Sequence, residues 1–196
     1  MKNLILSAII ILMGNSIAFS QNDDDPILIQ NFYQVCKSEK YSAFNAVSKG
    51  IQLFDTKQYS RSMKSFQKAL DIDPDYCDTY YLMAYCHQKK GEYEKAIEYC
   101  NKSLSMNSEN PSALIIMANT YYKIEDIDKA IELFEKAIGY LPTNIDAYYG
   151  LALMYQLKGE NQLSTEVLNH MEEKGAKTKN VREKKKIKTL KEKVKI

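Results

Sequence analysis

Residues 91–97 read Gly-Glu-Tyr-Glu-Lys-Ala-Ile, and the small residue of this stretch, Ala96, belongs to a column that recurs every 34 residues. A second column of small residues keeps the same interval. The two columns consist of Ser62, Ala96, Ala130 and Ser164, and of Gly50, Ala84, Ala118 and Ala152. Agreement in register at a fixed interval of this length indicates a repeat architecture, in which each unit stacks on the next.

Bulky residues occupy further columns at the same interval. One contains Phe66, Cys100, Phe134 and Leu168, and another contains Leu53, His87, Tyr121 and Tyr155. Within one unit these positions fall at helical spacing, as Ala130, Phe134 and Ala137 do. Small residues would let two antiparallel helices approach closely, because a larger side chain there would overpack the contact. The pattern therefore predicts pairs of packed helices and no strands.

The stretch 91–97 and residues 69–74, Ala-Leu-Asp-Ile-Asp-Pro, resemble the turn and terminus of the tetratricopeptide repeat family. The resemblance covers roughly residues 43–174. It implies an all-α, right-handed solenoid of about four helix–turn–helix repeats, closed by a basic C-terminal capping helix. This chain departs from the family at the usual turn glycine of the first unit, which is Lys57, and at the usual Trp, which is replaced by Ala46, Tyr80, Leu114 and Tyr148.

The repeat register divides the chain into segments. We expect a signal peptide at 1–20, a spacer and capping helix at 21–42, repeats at 43–76, 77–110, 111–144 and 145–175, and a basic tail at 176–196. The last repeat is degenerate. The expected helices span about 43–56 and 59–72, 77–90 and 93–106, 111–124 and 127–140, then 145–158 and 161–173. In the spacer, Leu28, Phe32 and Val35 fall on one helical face that could pack on the first repeat.

Composition supports a helical chain with a buried core. Hydrophobic residues make up 45% of the 196 residues, with only 7 Gly and 4 Pro to interrupt helices. The net charge of +2 conceals an asymmetry, because Lys174 and the residues after it carry 11 Lys and Arg but only two Glu. An acidic body therefore precedes a basic tail.

The N-terminus has the pattern of a secretory signal peptide. Lys2 precedes an apolar run from Leu4 to Met13, and Ala18 and Ser20 are small residues placed for cleavage before Gln21. The sequence thus predicts export to the periplasm or cell envelope after cleavage near Ser20/Gln21. The alternative is an uncleaved N-terminal anchor in the inner membrane, for which the apolar run is short. The Lys-, Asn-, Ile- and Tyr-rich style resembles exported bacterial proteins of the Bacteroidetes group.

Motifs for catalysis, metal binding or cofactor binding are not apparent in the sequence. The two histidines are His87, in a core column, and His170, on the last predicted helix. A lone histidine in a core column is more often packed than a ligand, and no second metal-competent residue stands at ligand spacing. There is no Gly-rich phosphate loop or nucleophile motif. We therefore expect no enzyme activity, no metal and no cofactor.

Four cysteines in an exported chain require that disulfides be weighed. If the second helix pair turns near Gly91, Cys100 faces Met83 and lies about 4.5 Å of helix rise from the level of Cys86. Cys100 is therefore interpreted as a small core residue. A pair between Cys36 and Cys77 stays open, because the repeat register gives no position for Cys36.

The family resemblance places the first helix of each pair on the concave surface of the solenoid. The residues predicted to bind a peptide there are Tyr81, Tyr85, Asn119, Tyr122, Tyr149 and Gln156. Part of this face must pack between neighbouring first helices. Tyr85, Asn119 and Tyr122 are expected to stay exposed, because their columns also contain Gln or Asn. Exposed aromatic side chains on a rigid scaffold are good anchors for a polypeptide.

These features favour a non-catalytic scaffold that binds a protein or peptide in the concave groove, within a periplasmic or envelope-associated assembly. The alternatives are a solenoid that self-associates without a peptide ligand, and an adaptor that contacts membranes through Lys184, Lys185 and Lys186. The tail is otherwise a solvated capping helix. Nucleic acid is not expected as a partner, because the tail lysines have no interleaved aromatic residues for base stacking.

Overall fold

The computed structural model describes residues 36, 38–176, 188 and 192. Between residues 38 and 176 the chain forms eight α-helices and no strand. The helices are α1 (Tyr41–Asp55), α2 (Tyr59–Ile72), α3 (Cys77–Lys89), α4 (Tyr93–Met106), α5 (Pro111–Lys123), α6 (Ile127–Tyr140), α7 (Ile145–Leu157) and α8 (Asn161–Ala176). Each begins and ends within three residues of its expected position, so the predicted helix map is confirmed.

Some predictions concern segments outside the described residues. The signal peptide, most of the spacer with its helical face, and the tail lysines Lys184, Lys185 and Lys186 belong to this group. Of the predicted basic helix, the structure describes Lys188 and Glu192, which are both helical and exposed. Within the described residues, every helix is too short or too polar to cross a bilayer.

The turn between the two helices of each pair contains one residue with a positive φ, and these residues recur every 34 positions. They are Lys57 (φ 58°), Gly91 (φ 76°), Glu125 (φ 64°) and Gly159 (φ 77°). Glycine adopts this left-handed conformation at no steric cost, whereas a residue with a Cβ is strained in it. The first and third turns thus keep the geometry of the second and fourth without a glycine to provide it.

Polar side chains begin three of the helices. Asn110 accepts hydrogen bonds from the amides of Ser112 and Ala113, with Pro111 at the first position of α5. Asp126 accepts from Lys129 N–H at the start of α6, and Asn144 accepts from Ala147 N–H at the start of α7. These bonds satisfy backbone donors that a helix leaves unpaired in its first turn. They fix where each helix begins and hence the register of the repeats.

The small columns meet between the helices of a pair, as the sequence predicts. The Ser62 hydroxyl donates to the Gly50 carbonyl oxygen over 2.7 Å, joining α2 to α1. A Cβ on Gly50 would overlap the fully buried Phe66 ring. Gly150 of α7, outside these columns, lies in the same way against Phe134 of the preceding repeat. Each bulky ring therefore lies directly against backbone, which leaves no room for a larger residue in those positions.

The described N-terminal residues are attached to the junction between the first two repeats. Cys36 and Cys77 form a disulfide with their Cα atoms 5.6 Å apart, and Cys77 is the first residue of α3. The Lys40 ammonium donates to the Ile72 carbonyl oxygen over 2.7 Å, and the Ser38 hydroxyl is hydrogen-bonded to Asp73. The pair that the sequence left open is thus formed in the structure. The remaining cysteines, Cys86 and Cys100, are free and buried, which confirms the interpretation of Cys100 as a core residue.

Candidate functional site

The predicted site lies on three neighbouring columns of the first helices α1, α3, α5 and α7, which we name the first-helix face. Two columns contain Val47, Tyr81, Ile115 and Tyr149, and Ile51, Tyr85, Asn119 and Leu153. A rim column contains Phe54, Gln88, Tyr122 and Gln156. The face is apolar and aromatic, with amides at a few positions. Such a composition suits a binding surface that contacts apolar side chains and orients them with a few polar groups.

Two residues expected to be exposed on this face are buried. Tyr85 is 1% exposed and stacks on the Phe54 ring with centroids 4.6 Å apart. The Lys89 ammonium lies 5.3 Å from the centroid of the same Tyr85 ring. Asn119 is 2% exposed. The exposure prediction was therefore wrong for both residues. For Tyr85 the reason is that α1 and α3 approach closely enough for their rings to stack.

The rim column is also partly structural. Gln88 is buried, and its amide donates to the Ile116 carbonyl oxygen over 3.0 Å and to the Thr120 hydroxyl over 2.8 Å. By sequence alone, glutamine in this column suggests solvent exposure. For Gln88 that inference fails, because a long amide side chain can bridge to the next helix and satisfy its polar atoms in the core. Gln156, in the last repeat, is half-buried.

Three predicted tyrosines lie at different depths in this face. Tyr81 is buried, and burial together with the nearby Asp78 raises its pKa well above the ordinary value. Tyr149 is buried, and burial followed by the neighbouring Tyr122 raises its pKa. The structure therefore brings Tyr122 and Tyr149 close to one another. Tyr122 is half-buried, and the Lys123 ammonium lies 5.5 Å from its ring centroid.

Asn119 has an unusual environment for an amide. Both its Oδ1 and its Nδ2 are buried and have no hydrogen-bond partner. Burial of a polar group without a partner costs about 1–3 kcal/mol, and most buried side-chain amides avoid that cost. Asn119 occupies the third repeat in the middle of the first-helix face. A peptide group, which has one donor and one acceptor, would satisfy both atoms once the side chains that bury Asn119 move aside.

One carboxylate at the edge of this face was missed by the sequence analysis. Asp55, at the end of α1, is half-buried, and burial raises its pKa to about 6. Its Oδ1 is buried without a hydrogen-bond partner. The signal was present in the repeat register, since Asp55 shares a column with Lys89 and Lys123. That column places charges of both signs along one edge of the face.

Asp78 is a second residue that the sequence analysis overlooked. It is buried in the first turn of α3, where its Oδ2 accepts a 3.2 Å hydrogen bond from Cys36 N–H. Its Oδ1 lies 3.3 Å from the Asn110 side-chain amide, which donates to it. Asp78 therefore links the disulfide, the start of α3 and the cap of α5. Its position next to Cys77 was the only sequence signal.

Each of the two histidines contacts side chains of a neighbouring segment. His87 Nδ1 lies 2.6 Å from Glu92 Oε2, and its ring stacks on Tyr99 with centroids 5.1 Å apart. His170 Nδ1 lies 3.5 Å from the Tyr148 hydroxyl. One group in the described residues, Cys36, Cys77 and Asp78, is compact enough for a metal ion. Its two sulfur atoms are joined in the disulfide, so they are not available as ligands.

Comparisons with known proteins show which fold this arrangement of helices belongs to. The family model for anaphase-promoting complex, cyclosome, subunit 3 matches residues 55–137, and the model described as TPR repeat matches residues 118–159. The chain has the tetratricopeptide repeat fold. A crystal structure of MamA is 24% identical and superimposes with a TM-score of 0.61, covering 69% of this chain and 79% of that one. No curated protein matches the sequence.

Two further tetratricopeptide repeat structures show the same fold. TTC0263, a protein of Thermus thermophilus, is 16% identical with a TM-score of 0.64, covering 78% of this chain and 83% of that one. The first repeat domain of Spaghetti (RPAP3), solved with the HSP90 peptide SRMEEVD, is 19% identical with a TM-score of 0.56. That match covers 60% of this chain and 94% of that domain. At these identities the likeness establishes the solenoid, in which adjacent repeats form one continuous face.

Proposed function

We propose that this tetratricopeptide repeat protein is a non-catalytic scaffold that binds an extended polypeptide segment along its first-helix face. The observation that carries the proposal is the buried Asn119 side chain, whose donor and acceptor atoms have no partner. A peptide group in an extended segment supplies both complementary atoms. The backbone groups of a helical partner are already paired with each other, so they do not. The segment's own side chains alternate, so some of them face the helices and others face solvent.

The surroundings of Asn119 fit this ligand. Half-buried Tyr122 lies three residues after Asn119 on α5 and provides aromatic area, with Lys123 beside its ring. Tyr149, which is buried, lies near Tyr122. Aromatic residues of this kind supply much of the binding energy at protein interfaces. The Spaghetti (RPAP3) domain, whose fold is similar, was solved with a bound peptide. This supports a groove ligand of the same chemical class, without indicating its sequence.

We further propose that the protein acts in the periplasm or cell envelope. The N-terminal sequence predicts export, with cleavage before Gln21 or, alternatively, retention as an anchor. The Cys36–Cys77 disulfide supports export, because structural disulfides persist in oxidising compartments and are rare in the cytosol of most organisms. The intact mass of the protein recovered from the envelope fraction distinguishes a chain that begins at Gln21 from one that retains Met1.

The test uses random peptides displayed on phage and selected on the full oxidised chain. Selected peptides should lose about tenfold in affinity for Asn119→Ala, because their backbone loses its hydrogen-bonded partner. Asn101→Ala, at an exposed position on α4, is the matched control and should bind as wild type does. Equal binding to wild type and to Asn119→Ala would contradict the proposal. Loss confined to Lys186→Glu would instead favour an adaptor that acts through its basic tail.

A further inference from the structure

The last residue of each first helix continues the first-helix face by one turn. Asp55 follows Ile51 by four residues and Val47 by eight, so it lies on the same side of α1 as two columns of the face. The equivalent residues, which end α3, α5 and α7, are Lys89, Lys123 and Leu157. We name these four residues the edge column. Its charge is negative in the first repeat and positive in the second and third.

Asp55 carries the sign of charge that its position in the helix disfavours. The C-terminal end of an α-helix has a partial negative charge, because its last carbonyl groups point outward without partners in the helix. A lysine is stabilised there, as in α3 and α5, and a carboxylate is destabilised. The acidic residue at the end of α1 is therefore not explained by the stability of its own helix.

The surroundings of Asp55 add to this cost. Asp55 is half-buried, and its Oδ1 is buried without a hydrogen-bond partner. Most buried polar atoms in proteins do have such a partner. Burial raises the pKa of Asp55 to about 6, so at pH 7 the side chain is still mostly ionised. A negative charge with an unsatisfied oxygen thus stands at the edge of the candidate binding face.

Aromatic rings stand beside this carboxylate in the chain. Phe54, the preceding residue, is buried, and its ring lies 5.1 Å from that of Tyr59 and 4.6 Å from that of Tyr85, between centroids. Lysine and arginine side chains suit such a place, because their aliphatic stems pack on apolar surface while their charged ends reach a polar group. An aromatic surface next to a carboxylate therefore favours a basic side chain as its ligand.

The third repeat shows the same position with the opposite charge. Lys123 is equivalent to Asp55, and Tyr122 is equivalent to Phe54. The Lys123 ammonium lies 5.5 Å from the centroid of the Tyr122 ring. In the third repeat the chain's own cation thus lies beside the rim aromatic residue. In the first repeat the chain has a carboxylate at this position, which would attract a cation from a ligand.

The two lysines of the edge column would confine that cation to the first repeat. Neighbouring packed helices are about 8–10 Å apart, which is close to the distance over which physiological salt screens charges. A basic side chain of a ligand would be repelled beside Lys89 or Lys123 and attracted beside Asp55. The edge column therefore discriminates between alternative registers of one polypeptide on the same face.

We propose that Asp55 determines the specificity of the first-helix face by binding a lysine or arginine side chain of the partner over the first repeat. The inference rests on the proposed function, because it states which class of polypeptide the same face accepts. A charge-assisted hydrogen bond to a carboxylate is stronger than a neutral one. Arginine can donate to both carboxylate oxygens, and it would reach Oδ1 once the side chains over that atom move aside.

The test starts from random peptides displayed on phage and selected on the full oxidised wild-type chain. The selected peptides should share a lysine or arginine, and replacing that residue by glutamine should weaken binding about tenfold or more. Asp55→Asn should weaken binding of the unchanged peptides to a similar extent. This variant should still fold, because it removes a carboxylate whose burial is unfavourable.

The matched control is Asp71→Asn, which removes the same charge at an exposed position on α2, outside the face. It should bind the selected peptides as wild type does. An equal loss in Asp55→Asn and Asp71→Asn would show general attraction of basic peptides to an acidic protein, and would overturn the inference.

A charge reversal tests direct contact between the two groups. Asp55→Lys gives the first repeat the residue that the second and third already have. It should bind the selected peptides at least about tenfold more weakly than wild type does. Replacing the shared basic residue of the peptide by glutamate should restore much of this loss, because the two charges are again opposite. Losses that simply multiply, with no restoration, would contradict a contact at Asp55.

The remaining outcomes separate this inference from the proposed function. Selected peptides that bind tightly but share no basic residue, or that bind wild type and Asp55→Asn equally, would overturn the inference. The proposed function would stand in both cases if Asn119→Ala still weakens binding. If no peptide can be selected on wild type or on any variant, the proposed function fails, and the inference fails with it.

Discussion

In the second and third repeats, the two helices differ in how much of their surface is buried. In the first helix α3, 11 of 13 residues are buried, whereas its partner α4 buries only Ala96, Cys100 and Ser103 of its 14 residues. The second helices are amphipathic elements that pack one stripe and expose the rest to solvent. The first helices carry the inter-repeat core on one side and the candidate binding face on the other. Stability and binding should therefore respond differently to changes in the two layers.

The largest expected effect comes from removing an aromatic ring from the buried stripe of a second helix, which we name the second-helix stripe. Phe134→Ala should lower the free energy of unfolding by about 3–5 kcal/mol, because the fully buried ring of α6 leaves a cavity against Gly150 of α7. Chemical denaturation checks this value. Lys95→Ala, at an exposed position on α4, is the control and should stay within about 0.5 kcal/mol of wild type. A small loss for Phe134→Ala would mean that the second-helix stripe does not hold neighbouring repeats together.

The next effect tests whether the small residues lie at equally close helix contacts in the first helices and in the second helices. Ala118→Leu on α5 and Ala130→Leu on α6 should each destabilise the protein by about 1–3 kcal/mol, because both alanines are fully buried at a close helix contact. Thermal unfolding of the two variants gives the comparison. If both melt at the wild-type temperature, the register in which these columns face each other is incorrect.

A smaller effect concerns the turns that join the two layers. Lys57→Gly and Glu125→Gly should each stabilise the protein, by no more than about 1 kcal/mol, because glycine adopts their positive φ without strain. The gain is partly offset by the entropy that glycine adds to the unfolded chain. Denaturation midpoints measure the net change. A marked loss of stability in both variants would show that the Lys57 and Glu125 side chains make contacts that outweigh the backbone strain.

The smallest expected effect is a difference in pH dependence between the layers. Burial raises the pKa of Asp55, at the end of α1, to about 6, whereas hydrogen bonds from Lys90 and His87 lower that of Glu92, at the start of α4, to about 2. Folded Asp55 holds its proton more tightly than the unfolded chain does, so its contribution becomes less favourable as pH rises from about 4 to 6. Glu92 contributes stability above about pH 4.5 that is lost as pH falls towards 2.

Unfolding measured across this range in Asp55→Asn and Glu92→Gln tests both directions. The gain in stability of Asp55→Asn over wild type should grow as pH rises through the first window. The loss in Glu92→Gln should shrink as pH falls through the second. The same slope for wild type and Asp55→Asn between pH values of about 4 and 6 would show that the Asp55 carboxyl is not perturbed by burial.

The fold was predictable from the sequence because the same columns of residues recur in each of the four repeats. The columns of Ser62 and Gly50 gave the helix register, whereas the positive φ at Lys57, where the glycine is missing, was found only in the structure. The state of the site was less predictable. Tyr85 and Asn119 belong to one column, together with Ile51 and Leu153. Their burial depends on contacts with neighbouring helices, which the residues of one column do not show.

The disulfide shows a second limit of reasoning from repeats. Cys77 has a place in the register, but Cys36 precedes the first repeat and has no equivalent in later units. Its position depends on local contacts such as that between Lys40 and the Ile72 carbonyl oxygen. Periodicity cannot predict contacts that occur once in the chain. The same holds for Asp78, which became notable only when the structure placed Cys36 beside it.

The most direct test of the central claim, that the first-helix face binds a polypeptide, compares two tyrosines in different layers. Tyr122 is half-buried on α5, within the face, and Tyr140 is 47% exposed at the end of α6, outside it. The affinity of phage-selected peptides is measured for Tyr122→Ala and Tyr140→Ala, together with the melting temperature of each. We predict a loss of about fivefold or more for Tyr122→Ala, the mark of an aromatic anchor, and wild-type affinity for Tyr140→Ala. Wild-type affinity in Tyr122→Ala, or an equal loss in both variants, would contradict the claim.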